Sequence, residues 1–149
     1  MNRWARAVGV ALVLLAEAVA SGVDIGFSVS GGGGFMGHLG FYLEARPVDL
    51  RSQLVVGAPG GLYLSGEVVY PLPLYLWLRP YLAGGVAVGL AAYTAPGELR
   101  LRLGERWYAM FSLGVQFPER GYRPYLEVSQ VVGSEGFQRV TVGFIAELR

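Results

Sequence analysis

"VDIGFSVSGGGGFMGHLGFYLEAR", residues 23–46, alternates on both sides of four consecutive glycines. Val23, Ile25, Phe27 and Val29 share one phase, with Asp24, Gly26, Ser28 and Ser30 on the other. Beyond the glycines, Phe35, Leu39, Phe41, Leu43 and Ala45 oppose His38, Gly40, Tyr42 and Glu44. Strand side chains point alternately to the two faces of a sheet, so this pattern predicts a β-hairpin with one apolar face. What that face touches decides the fold: a protein core, or lipid.

The same period continues along the chain. Strand-like segments run over 51–58, 62–70, 79–93, 106–117, 122–132 and 137–148, separated by turns such as "PGG", "PLPL", "PERG" and "GSEG". With the opening hairpin this makes eight strands. A transmembrane β-strand needs about 9–11 residues at its usual tilt, and an even count places both termini on one side. The longest candidate loop is Thr94–Glu105. Within it Leu99, Leu101 and Leu103 alternate with Arg100 and Arg102, so it also reads as a strand extension beyond the membrane.

Sorting the strands by phase answers the opening question. One phase collects large aliphatic and aromatic residues, among them Leu54, Val56, Leu64, Val68, Leu82, Val86, Phe111, Leu113, Leu126, Val128, Val142 and Phe144, and no charge. The other holds Asp24, Glu44, Arg51, Gln53, Glu67, Arg123, Glu127, Arg139 and Glu147, together with many Gly, Ala, Ser and Thr. Small residues make a poor solvent coat but a good filling for the narrow interior of an eight-stranded barrel. The apolar phase therefore faces lipid, and a closed barrel leaves no backbone group unpaired there. Phe35, Tyr42, Tyr70, Trp77, Tyr81, Tyr93, Trp107, Phe117, Tyr122 and Phe137 stand near strand ends, where interfacial girdles are expected.

The first 20 residues differ from the rest. Arg3 and Arg6 precede the apolar run Ala7–Ala16, and Ala18-Val19-Ala20 supplies a small-x-small site before Ser21. These are the parts of a secretory signal peptide, and the run is too short for a spanning helix. The expected organisation is a signal peptide over 1–20 and one barrel domain over 21–149. Of 149 residues, 53% are hydrophobic and 15% charged, with 23 glycines, which is apolar for a soluble domain. Mean hydropathy is +0.43. The chain has 12 basic and 11 acidic residues; removing residues 1–20 takes two Arg and one Glu and leaves ten of each. That balance argues against a nucleic-acid partner. With no cysteine, disulfides and thiolate metal sites are excluded.

"RPYLAGGVAVGL" (79–90), "RPYLEVSQ" (123–130) and "TVGFIAEL" (141–148) resemble strands of the small outer-membrane β-barrels, the OmpA-, OmpX- and OmpW-like group. The resemblance covers residues 21–149. It implies an all-β, eight-stranded antiparallel up-and-down transmembrane β-barrel in an outer membrane, with periplasmic termini. It also implies outer-membrane lipid as surroundings and a barrel-insertion machinery that reads the C-terminal strand. That strand departs from the family pattern in ending Leu148-Arg149 rather than in a terminal Phe. No peptidoglycan-binding half is expected after it. Loops Gly31–Gly34, Pro59–Gly61, Thr94–Glu105 and Gly133–Gly136 are expected on the outer side.

Catalytic and cofactor sites are not expected. His38 is the single histidine, in "GHLGF", with no Ser at a suggestive spacing, and reads as a lumen or rim residue. One His without Cys does not make a structural zinc site. The glycines 31–34 lack the Lys-Ser/Thr of a phosphate loop. The inward charges Glu44, Arg51, Glu67, Arg123, Glu127, Arg139 and Glu147 are expected to form a lumen network, because a buried charge left alone costs several kcal/mol. The expectation is a structural or small-solute role in the outer membrane without enzymatic activity. Porin-like conduction through a wetted lumen, OmpW-like passage of small apolar molecules, and a secreted soluble barrel with a lipid-like ligand are the alternatives.

Overall fold

The computed structural model describes residues 21–74, 77–95 and 98–148, and the expected signal peptide lies outside them. Eight strands follow one another: β1 (Gly22–Ser30), β2 (Phe35–Leu43), β3 (Asp49–Gly57), β4 (Gly61–Pro71), β5 (Arg79–Ala95), β6 (Glu98–Gln116), β7 (Tyr122–Gly133) and β8 (Phe137–Glu147). Each pairs antiparallel with the next, and β8 pairs back onto β1 to close a barrel. Following the registers from Gly22 through Tyr42, Arg51, Glu67, Gly85, Met110, Val131 and Phe137 returns to the β1 line at position 32, a stagger of ten residues. A stagger of this kind goes with strands tilted roughly 35–45°.

The two phases separate as the alternation predicts. Phe27, Leu39, Val56, Val86, Phe111, Leu113 and Val142 stand exposed on the outer wall. Asp24, Arg51, Glu67, Glu127 and Arg139 are buried in the lumen. A soluble domain rarely exposes apolar patches beyond a few hundred Å². Here the apolar wall runs around all eight strands.

The start of β1 and the finish of β8 define the terminal end. At this end lie the connections 44–48 and 117–121 and residues 72–74 and 77–78, with Trp77 packed 5.7 Å from Phe117 and with exposed Tyr70 and Tyr122. At the far end lie the expected outer connections, with Phe27 stacked 5.9 Å from Phe35 and with exposed Trp107. Three residues expected in the girdles are not there. Tyr42 and Tyr81 are buried in the lumen, because each shares the phase of its strand's polar residues. Phe137 is half-buried and packs on the lumen cluster through Tyr108, at 6.4 Å. The side chain of Tyr93 lies outside the described residues.

The described residues of the Thr94–Glu105 segment are strand and not loop. β5 and β6 extend as a paired ribbon, with Leu90 opposite Leu103 and Thr94 opposite Leu99. Between Val88↔Trp107 and Leu90↔Leu103, Gly89 faces three residues of β6. Gly104 takes φ +92 there, a conformation open to glycine and costly for other residues. Two extra residues keep the parity, so Leu103 stays in phase with Trp107.

Candidate functional site

The lumen is filled in layers. Toward the far end Met36, Val55, Tyr63, Ala87, Tyr108, Met110 and Val131 form an apolar cluster. Toward the terminal end Tyr42, Val69, Tyr81, Ala83, Tyr125 and Ile145 form a second. Among the described residues all five lumen tyrosines sit opposite glycines: Tyr42↔Gly22, Tyr63↔Gly89, Tyr81↔Gly114, Tyr108↔Gly133 and Tyr125↔Gly143. A Cβ on Gly143 would come within 2.6 Å of the Tyr125 ring, and one on Gly114 would enter the Tyr81 ring. These two rings lie across glycine because no side chain fits beneath them.

Between the clusters lie the charges. Arg51 on β3 pairs with Glu67 of β4 and with Glu127 of β7, the latter at 2.7 Å. All three side chains are at most 1% exposed. Arg139 on β8 approaches Glu127 Oε1 at 4.0 Å. Glu127 also accepts from Tyr81 Oη at 2.8 Å and from Ser129 Oγ at 3.0 Å. Beside this set, Asp24 Oδ2 accepts from Gln53 Nε2 at 2.7 Å, and Asp24 Oδ1 from Tyr125 Oη at 2.8 Å. His38 Nε2 lies 3.3 Å from that Oδ1 and 2.8 Å from Tyr125 Oη. Tyrosine hydroxyls tie the charged layer to both apolar ones: Arg139 Nη1 donates to Tyr63 at 2.9 Å, while Tyr81 and Tyr125 donate from the other side.

The remaining expected charges lie at the terminal rim. Arg123, itself buried, pairs with Glu44 at 2.7 Å and with Glu147 at 3.8 Å. The two carboxylates are 52% and 40% exposed, so they face the mouth and not a dry interior. Arg123 also stands 5.1 Å above the Tyr42 ring, whose hydroxyl donates to Asp49 at 2.7 Å. The seven residues thus divide into a buried group of four and a rim group of three. Asp24, His38, Gln53, Tyr81 and Tyr125 belong to the buried arrangement and were absent from the expected set. Their phase placed them in the lumen, but nothing local marked them as partners.

Asp24 is thus held by Gln53, His38 and Tyr125, with the tyrosine hydroxyl donating to its carboxylate. Among the described residues no group of three or more His, Cys, Asp or Glu is arranged to hold a metal ion.

Three solved structures share this architecture. The N-terminal β-barrel domain of Pseudomonas aeruginosa OprF aligns with TM-score 0.59 and 16% identity, over 87% of this chain and 98% of that one. Neisserial surface protein A aligns with TM-score 0.59 and 9% identity, over 85% and 94%. A de novo designed transmembrane β-barrel aligns with TM-score 0.52 and 14% identity, over 87% and 98%. No family model and no curated protein sequence matches the chain. The fold is that of the small eight-stranded outer-membrane β-barrels. At these identities the likeness extends to the fold alone.

Proposed function

We propose that this chain is a non-enzymatic, non-conducting structural barrel of a bacterial outer membrane, with periplasmic termini. The observation that carries this reading is the lumen. Arg51 pairs with Glu67 and Glu127, and Arg139 stands 4.0 Å from Glu127, so two positive and two negative charges balance in a layer between two apolar clusters. A charge set of this kind blocks passage and fixes strand register, since a one-residue slip of a strand would turn its lumen charge toward lipid. The apolar outer wall favours a lipid-bathed barrel over a soluble one that carries a ligand inside. On this reading β8, whose pairing with β1 closes the barrel, is the strand presented to the insertion machinery.

Planar-bilayer recording of the purified, refolded protein tests the plug, with a heat-shift gel to show that the barrel is folded. A folded barrel with no unitary current is the expected result. A second reading, a wetted lumen that passes small solutes, is favoured by buried polar atoms without a protein partner, among them Arg51 Nε, Gln53 Oε1, Tyr108 Oη and Arg139 Nε. Reproducible single-channel steps from the folded barrel would establish it in place of the plug.

A further inference from the structure

Glycines on the two faces of this sheet differ in what surrounds them. In the lumen, a Cβ on Gly26, Gly40, Gly85, Gly114 or Gly143 would collide with backbone or with a ring. On the outer wall, a Cβ on Gly66 of β4 would meet nothing within 4 Å. One on Gly84 of β5 would find only Met110 O at 3.8 Å and Phe111 Cδ1 at 4.0 Å. No contact inside the protein calls for glycine at either position, and glycine weakens a strand interior. With Ser52, which pairs with Gly66, they floor a groove in the barrel wall of about 610 Å³. Its sides are Phe41, Leu50 and Val68. This volume falls within the roughly 300–1,000 Å³ of ordinary small-molecule sites.

The groove belongs to the lipid-facing wall and lies in its terminal half. Leu43 and Leu50, also in its lining, form the last rung of the β2–β3 ladder. Turn 44–48 closes that ladder and carries exposed Arg46. Arg46 follows Leu43, in the last rung of the slot, by three residues, so an apolar slot and then a cation come in the order of a phospholipid's chain and phosphate.

We propose that the groove over Ser52, Gly66 and Gly84 binds one acyl chain of a glycerophospholipid from the leaflet at the terminal end, with Arg46 facing its phosphate. This rests on the outer-membrane reading above. The two glycines keep the slot open, and any larger side chain there would occupy the space of the chain.

Native mass spectrometry of the folded barrel in mild detergent, supplied with phosphatidylglycerol, tests the site. The wild type should keep one lipid as activation energy rises. Gly66→Val/Gly84→Val should lower the lipid-bound fraction several-fold, and Arg46→Gln should lower it with the groove left open. If the double variant lacks a heat-shifted band, Gly66→Ala, whose added carbon has open space, takes its place. Equal retention by wild type and filled variant overturns the site. So does a wild-type dimer that the substitutions dissociate, since a second copy would then occupy the groove. A barrel that inserts into vesicles but retains no lipid overturns this site alone, whereas a chain that stays soluble without detergent overturns the outer-membrane reading as well.

Discussion

Two strands of the barrel carry the same four residues at their start: Arg79-Pro80-Tyr81-Leu82 opens β5, and Arg123-Pro124-Tyr125-Leu126 follows the first residue of β7. Their tyrosines behave alike. Each is buried opposite a glycine, and each gives its hydroxyl to a carboxylate at 2.8 Å, Glu127 for Tyr81 and Asp24 for Tyr125. Both leucines face outward. Their arginines behave differently. Arg123 is buried against Glu44 and Glu147, whereas Arg79 is exposed at the mouth. A short motif thus sets where a strand starts and which way its side chains point, because both are local properties of the pleat. Whether an arginine finds a carboxylate depends on which strands stand beside it, and no motif contains that.

The largest effect should come from the residue that joins the two halves of this comparison. Arg51 pairs with the carboxylate that Tyr81 serves, and its guanidinium stands 5.8 Å from the Tyr125 ring. Arg51→Met should cost about 3–5 kcal/mol, because Glu67 and Glu127 would be left as uncompensated buried charges. Urea unfolding of the barrel in phosphatidylcholine vesicles, read by the heat-shifted band, measures it. A change under about 1 kcal/mol would mean that water already solvates the lumen.

Next in size are the tyrosines themselves. Tyr125→Phe and Tyr81→Phe should each lose about 1.5–3 kcal/mol, the range for a hydrogen bond to a charged group. Similar losses would sustain the equivalence of the two strands. A loss confined to one would show that only one hydroxyl matters to the network. Gly143→Ala and Gly114→Ala sharpen the same point from the opposite strand. An added methyl under either ring should cost about 1–3 kcal/mol by overpacking, while the outward Gly66→Ala should cost nothing by this route. Unchanged unfolding midpoints in both inward variants would remove the ring-over-glycine explanation.

The smallest effects separate the arginines. Arg123→Gln should cost no more than about 1 kcal/mol, since its carboxylates reach solvent once freed, and the loss should shrink at high salt. Arg79→Gln should stay within about 0.5 kcal/mol of wild type, as exposed substitutions usually do. Equal losses from the two would erase the contrast between them.

Much of this was legible in the residues. The alternation through "VDIGFSVS" and its successors marks eight strands, tells the outer face from the lumen face, and puts Arg51, Glu67, Glu127 and Arg139 inside. Tyr42 and Tyr81 were misplaced by their position near strand ends, although their phase, shared with His38 and with Ala83 and Gly85, already pointed inward. Phase is the stronger signal, because a girdle residue must also face out. The extension of β5 and β6 was ambiguous for another reason: alternating Leu and Arg fit a ribbon and a loop equally until their pairing is known.

By itself, then, the sequence determined the faces, the strand count and the contents of the lumen, since each follows from a period of two imposed on every residue by the pleat. Partnership was decided by the closed barrel. Arg51 meets Glu127, 76 residues away, only because eight successive registers and their ten-residue stagger bring β3 and β7 to face each other across the lumen. The same closure leaves Glu44 and Glu147 at the rim, gathers Asp24, His38 and Tyr125 from three strands, and lines up Ser52, Gly66 and Gly84 on one stretch of wall. Stagger is a property of the whole ring, and no segment of the chain carries it alone.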